Sequence, residues 1–245
     1  MVRINKFLGG AALATVLALS LEASANVRTG AYVGLNVGYA NLNPNATVLD
    51  TLNDGAGDPG NGMKIDKHKG MMQANLLVGY EWMRPSNLIL GTELAVGMGY
   101  SPSSKSYRAD GPATGTNDYR NYKIREEWKA GLYGLVGTSL TERVSLYGKL
   151  GILYSRFGSV HHSATGTSGA PSSALRHHTN FWGLEPGIRV KVAMSEAWAA
   201  TFDASYAFYQ NKKETTFTTN NPDTQALKKY APRMWGITAG LAYKF

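Results

Sequence analysis

The last eleven residues, Trp235 to Phe245, alternate without a break. Trp235, Ile237, Ala239, Leu241, Tyr243 and Phe245 fall on one parity; Gly236, Thr238, Gly240, Ala242 and Lys244 fall on the other. Successive side chains of a strand point to opposite faces. A strand here therefore carries one broad apolar, aromatic face and one small or polar face. That apolar face needs a core or a lipid to cover it, and the rest of the chain decides between the two.

Seven further segments repeat the pattern, at about 31–40, 72–82, 88–100, 128–140, 144–154, 182–192 and 198–208. No long segment has a 3.6-residue apolar period, so the reading is all-β with eight strands. Short connections at 83–87, around 141–143 and at 193–197 alternate with long ones at about 41–71, 101–127, 155–181 and 209–234. Four loops of such length are foreign to a compact soluble domain. They suit a transmembrane barrel, whose strands alternate lipid-facing and lumen-facing residues and whose two ends carry short turns and long loops.

Aromatic residues mark both ends of the apolar parity. Tyr39, Tyr100, Trp128, Tyr154, Trp182, Phe208 and Trp235 stand at the loop ends, and Trp82, Trp198, Tyr243 and Phe245 at the turn ends. These are the expected girdles at two membrane interfaces. The opposite parity holds Glu81, Glu93, Lys129, Lys149, Glu185, Arg189, Lys191 and Asp203. Polar inside and apolar outside reverses a soluble barrel. Closure then satisfies every backbone hydrogen bond, as lipid demands.

Residues 1–25 have the layout of a cleaved signal peptide, with Arg3 and Lys6, an apolar run from Leu8 to Leu21, and Ala23-Ser24-Ala25 as the cleavage site. The barrel domain is expected over 26–245. The chain has no cysteine, which removes disulfides and thiolate metal sites. Its net charge of +8 becomes +7 once Arg3, Lys6 and Glu22 leave with the signal. Such a balance favours anionic surfaces as partners.

With these features the chain resembles the eight-stranded outer-membrane barrels of the OmpA, OmpX and opacity-protein superfamily. The stretch from Gly137 to Gly151 is similar to the family's turn between strands four and five. Trp198 followed by Asp203 resembles its seventh strand, where an acidic residue points inward. Leu241-x-Tyr243-x-Phe245 resembles the assembly signal read by the barrel-insertion machinery. The resemblance covers the whole mature chain, without the peptidoglycan-binding domain of some relatives. It implies a Gram-negative outer membrane, with extracellular loops, periplasmic termini, and membrane lipids and lipopolysaccharide as surroundings. It also implies a non-enzymatic surface protein, structural or adhesive, with a host-surface or acidic-glycan ligand.

Four sets of residues are candidates for chemistry. Glu93, Lys149, Glu185, Arg189 and Asp203 form a lumen charge network, with Arg189 and Asp203 on adjacent strands at similar height. Small barrels have interiors just wide enough for side chains, so pairing is expected, with a gated, weakly conducting conduit as the rival reading. His161, His162, His177 and His178 are imidazole ligands for haem or a divalent metal if their loop folds back as a hairpin; the rival reading is solvated loop residues, as for His68. Ser155, Ser159, His161 and Glu185 have the residue types of an acyl-transfer site, with no motif to fix their geometry. The segment Asp54 to Asn61 has calcium-friendly oxygens and lacks EF-hand spacing.

The second and fourth long connections are basic. Lys105, Arg108, Arg120, Lys123 and Arg125 stand against Asp110, Asp118, Glu126 and Glu127. Lys212, Lys213, Lys228, Lys229 and Arg233 stand against Glu214 and Asp223. That surface suits acidic glycans or lipid phosphates, and its location excludes nucleic acid.

Overall fold

The structure, a computed structural model, describes residues 29–50, 63–65, 69–84, 87–100, 119–164, 172–217 and 225–245. The expected signal, the segment 54–61 and His68 lie outside the described residues.

Eight strands close one barrel: β1 (Gly30–Asn43), β4 (Lys69–Met83), β5 (Leu88–Tyr100), β6 (Tyr119–Ser139), β7 (Val144–Ala164), β8 (Ser172–Ala193), β9 (Trp198–Tyr209) and β12 (Arg233–Lys244). Each pairs antiparallel with its neighbour, and β1 closes on β12. Four shorter strands, β2 (Ala46–Asp50), β3 (Met63–Ile65), β10 (Lys212–Phe217) and β11 (Gln225–Tyr230), form a second sheet in the order β10-β11-β2-β3.

The alternation works as an inside-out core. Leu132 is 61% exposed and its neighbour Tyr133 is 2% exposed. The same inversion runs round the barrel, with Leu35, Leu76, Leu94, Leu150, Ile188 and Ile237 outside and Asn36, Asn75, Glu93, Lys149 and Arg189 within. In water this surface would be an aggregation hazard; in lipid it is the favourable face. Aromatic rings pack at its borders. Tyr39 meets Trp235 at 5.8 Å and Tyr154 meets Trp182 at 4.8 Å at one end, and Trp198 meets Tyr243 at 5.1 Å at the other.

Short polar side chains build the tight turns. Thr141 Oγ1 accepts from the backbone N–H of Val144 at 3.0 Å, and Ser195 Oγ from that of Trp198 at 3.1 Å. Asn87 supplies the left-handed position of the β4–β5 turn, at φ 59°, which asparagine tolerates better than most residues. The chain's last residue returns to this end, where the Phe245 N–H donates to Ala31 O at 3.1 Å.

All four long connections need correction. Residues 119–127, 155–164 and 172–181, expected as loop, continue β6, β7 and β8 well past the aromatic girdle. Beyond lipid both faces of a strand meet polar surroundings. The apolar contrast therefore ends although backbone pairing goes on. A bulge at Glu127 also shifts the parity, so that Glu126 and Lys129 both turn inward. The connections at 41–71 and 209–234 supply the second sheet, with β11 of the last paired to β2 of the first.

Candidate functional site

Inward-facing charges occupy the lumen as a connected set. Arg189 and Asp203 are opposite in register, and Arg189 Nε donates to Asp203 Oδ1 at 2.7 Å. The far end of the same guanidinium crosses the barrel to Glu93, with Nη2 donating to Oε1 at 2.9 Å. Tyr32 Oη donates to Glu93 Oε2 at 2.7 Å, and Asn36 Nδ2 to Asp203 Oδ2 at 2.7 Å. Lys149 Nζ lies 3.7 Å from Asp203 Oδ1 and 4.2 Å from the centre of the Tyr133 ring. Glu185 accepts from Tyr133 Oη at 3.0 Å and lies 3.8 Å from Lys129 Nζ. Gly151 makes room for that tyrosine, since a Cβ there would fall 2.3 Å from a Tyr133 ring carbon.

The sequence reading named Glu93, Lys149, Glu185, Arg189 and Asp203 as the network; the structure adds partners at both ends. Toward the short turns Lys191 Nζ donates to Glu81 Oε2 at 2.7 Å, with Lys244 Nζ 3.7 Å from the same oxygen. Toward the long connections Glu126 Oε1 accepts from Tyr209 Oη at 3.0 Å, and Tyr209 Oη lies 3.0 Å from Ser155 Oγ. The sequence pattern places Glu126 in a loop, and only the bulge reveals its inward position. Above the charges Leu42, Met71, Leu153, Phe157, Phe181, Tyr209 and Met234 form an apolar plug, with Phe157 edge-on to Phe181 at 5.5 Å. Charges below and rings above fill the lumen.

The outer wall has a different character. Just beyond the girdle, Arg156 Nε lies 3.2 Å, His178 Nδ1 3.0 Å and Arg125 Nη2 3.5 Å from the Glu127 carboxylate. Arg156, His178 and Arg125 all remain substantially exposed there.

The histidines divide. His178 is the Glu127 partner just described. The backbones of His161, His162 and His177 lie in β7 and β8, and their side chains are outside those described. Of the acyl-transfer candidates, Ser155 is buried against Tyr209 and Glu185 is held by Tyr133 and Lys129. The side chains of Ser159 and His161 are likewise outside those described. Leu241, Tyr243 and Phe245 point outward at the short-turn end.

An exterior of aliphatic side chains between two aromatic belts, around a polar lumen with no open edge, defines a membrane-embedded β-barrel. A family model described as outer membrane protein beta-barrel domain matches residues 11–245, and the chain belongs to that family. It is a protein of the Gram-negative outer membrane. A search of curated protein sequences finds no match.

Among solved structures, the attachment invasion locus protein Ail of Yersinia pestis, in complex with the heparin analogue sucrose octasulfate, is 16% identical with a TM-score of 0.37, covering 88% of this chain and 99% of its own. Neisserial surface protein A is 16% identical at a TM-score of 0.40, covering 88% and 97%. The outer membrane protease OmpT of Escherichia coli is 12% identical at a TM-score of 0.49, covering 91% and 100%. The family assignment rests on the sequence match alone.

Proposed function

We propose that this barrel is a non-enzymatic surface protein that stabilises the outer membrane and binds acidic ligands, such as host-surface glycans, through its long-loop end. In this reading the loops are extracellular, and the short turns and both termini are periplasmic. The observation that carries the proposal is the second sheet. Its register sets Lys213 opposite Lys229, Lys229 opposite Thr47, and Thr47 opposite Lys64. Lys228 lies at the register shift between Leu227 and Lys229. Like charges at directly opposed positions cost a sheet stability, and a bound polyanion relieves that cost. The filled lumen argues against a solute conduit, and the engagement of Ser155 by Tyr209 and of Glu185 by Tyr133 and Lys129 argues against an acyl-transfer site.

The test is adhesion of intact cells to wells coated with dextran sulfate, before and after protease trimming of the surface loops. Adhesion is expected to disappear with the loops and to be absent on uncharged dextran. Undiminished adhesion after trimming overturns the proposal.

A second reading, capture of haem or a divalent metal by His161, His162, His177 and His178, draws on the β7–β8 hairpin. His177 pairs with Ser159 and His161 with Leu175, which brings the two histidine pairs within two rungs of one another. A haemin titration of the refolded barrel is expected to give a saturable Soret shift that disappears when all four are replaced by alanine. A shift that survives the replacement removes this reading.

A further inference from the structure

The lipid-facing wall is interrupted at β5 and β6. Thr92 and Gly134 are partners in register there, and both face outward. Elsewhere between the girdles, among the described residues, a small outward residue stands between two larger ones. Ala74 lies between Val37 and Met98, Ala204 between Ile188 and Ile237, and Ala239 between Val37 and Phe202. Where Thr92 meets Gly134, a depression of about 620 Å³ opens toward the short turns. Trp82, Leu90 and Val136 line it beside them, with Arg84 at its turn end.

Nothing within the chain asks for glycine at this place. A Cβ added at Gly134 would meet no atom within 4 Å, and one at the outward Gly148 of β7 would meet only Val136 O, at 3.8 Å. At each of the other described glycines a heavy atom stands within 3.4 Å. Glycine weakens a strand, and inside one it marks a bend or the close approach of a ligand or another backbone. β5 and β6 pair without a register shift here. In lipid, small residues let two protein surfaces approach closely enough to gain packing contacts.

Charge at the turn end says what covers the depression. The β4–β5 turn carries Arg84 and the β6–β7 turn carries Glu142; both are exposed, and neither is in an ion pair among the described residues. Arg143, beside Glu142, is engaged within its own chain. A two-fold axis along the membrane normal, passing between β5 and β6, sets β5 of one copy against β6 of the other. It also sets each β4–β5 turn against the other copy's β6–β7 turn, as an isologous contact requires. Arg84 then faces Glu142 of the second copy, and the pair occurs twice. A phospholipid headgroup would use Arg84 and leave Glu142 idle; a second copy uses both.

We infer that the β4–β7 wall is a homodimer interface within the membrane, closed over Thr92 and Gly134 and latched at the short-turn end by Arg84 and Glu142. This surface lies on the barrel wall, away from the lysine row of the second sheet, so it stands or falls independently of ligand binding by the loops.

The chain has no cysteine, so single cysteines report the contact. Thr92→Cys in outer membranes, oxidised with copper phenanthroline, is expected to give a disulfide-linked dimer. Ala239→Cys, on the opposite wall, is expected to give none. In the Thr92→Cys background, Gly134→Leu fills the depression without meeting an atom of its own chain, and Arg84→Glu sets like charges across the axis. Each should lower the dimer at least fivefold, and the exchange Arg84→Glu with Glu142→Arg should restore it. Heat-modifiable gel mobility checks that every variant is folded. Equal crosslinking at positions 92 and 239 would mean random collision and overturn the interface. So would no dimer at position 92, full crosslinking in Gly134→Leu, or no recovery in the charge exchange. Native mass spectrometry showing a monomer whose one retained phospholipid is lost in Gly134→Leu would assign the depression to lipid instead.

Discussion

Lumen and outer rim solve the same problem, charged groups on a membrane barrel, in opposite ways. Inside, Lys129, Lys149, Arg189 and Lys191 each stand within 4 Å of a carboxylate, and Arg189 serves two. Outside, on the rungs beyond Trp128, Tyr154 and Trp182, Arg125, Arg156 and His178 share the single carboxylate of Glu127. The difference follows from the medium. A charge inside a narrow, filled barrel has little water to solvate it, so an unmatched one is expelled or neutralised. At the interface, water and counterions screen the surplus, and nothing in folding requires balance. Matched charges therefore explain the fold, whereas unmatched ones need a reason outside it.

The strongest way to break this comparison is Arg189→Met. The substitution leaves Glu93 and Asp203 facing each other without their shared cation, and removing one partner of a buried pair costs about 3–5 kcal/mol. Urea unfolding in lipid vesicles is the measurement. Adding Glu93→Gln and Asp203→Asn to the same chain should recover most of the loss, because the isolated charges are then gone. Arg156→Met on the outer rim should change stability by no more than about 0.5 kcal/mol. If Arg189→Met proves as mild as Arg156→Met, the lumen is wet and the contrast between the two regions fails.

The legible part of the molecule is the part that lipid touches. Between the girdles, lipid imposes an apolar side chain at every second position. Segments such as 72–82 and 235–245 therefore declare both strand and facing direction, and Arg189 and Asp203 fall on the inward parity at matching heights. Beyond the girdle that pressure ends. Ser172 to Phe181 continues β8 with no apolar alternation to announce it. The bulge at Glu127 puts Glu126 and Lys129 on the same side, three positions apart, which a strict period of two forbids. Lys64 and Lys229 are separated by most of the chain, and only the pairing of β2 with β3 and β11 makes them near neighbours. Cross-barrel pairs such as Glu93 with Arg189 depend on closure and side-chain reach, which no local pattern encodes.

Glu126 stands where the two regions meet, and it gives the smallest and most discriminating prediction. Its side chain is fully buried and its Oε1 accepts from Tyr209, while its Oε2 has no hydrogen-bond partner among the described residues. In the lumen proper each carboxylate has a cation at salt-bridge distance; Glu126 has a phenol. Glu126→Gln keeps an acceptor for Tyr209 and removes the buried charge. Leaving such a group unsatisfied costs on the order of 1 kcal/mol, so the variant should unfold at equal or slightly higher urea. Tyr209→Phe, which takes away the one donor and keeps the ring packed against Phe157, should lose about 1 kcal/mol. A loss above about 1 kcal/mol in Glu126→Gln would mean that the carboxylate is held by its charge, with Lys129 as the nearest inward cation along β6. Glu126 would then belong to the matched interior, and the boundary between the two regions would lie beyond the girdle rather than at it.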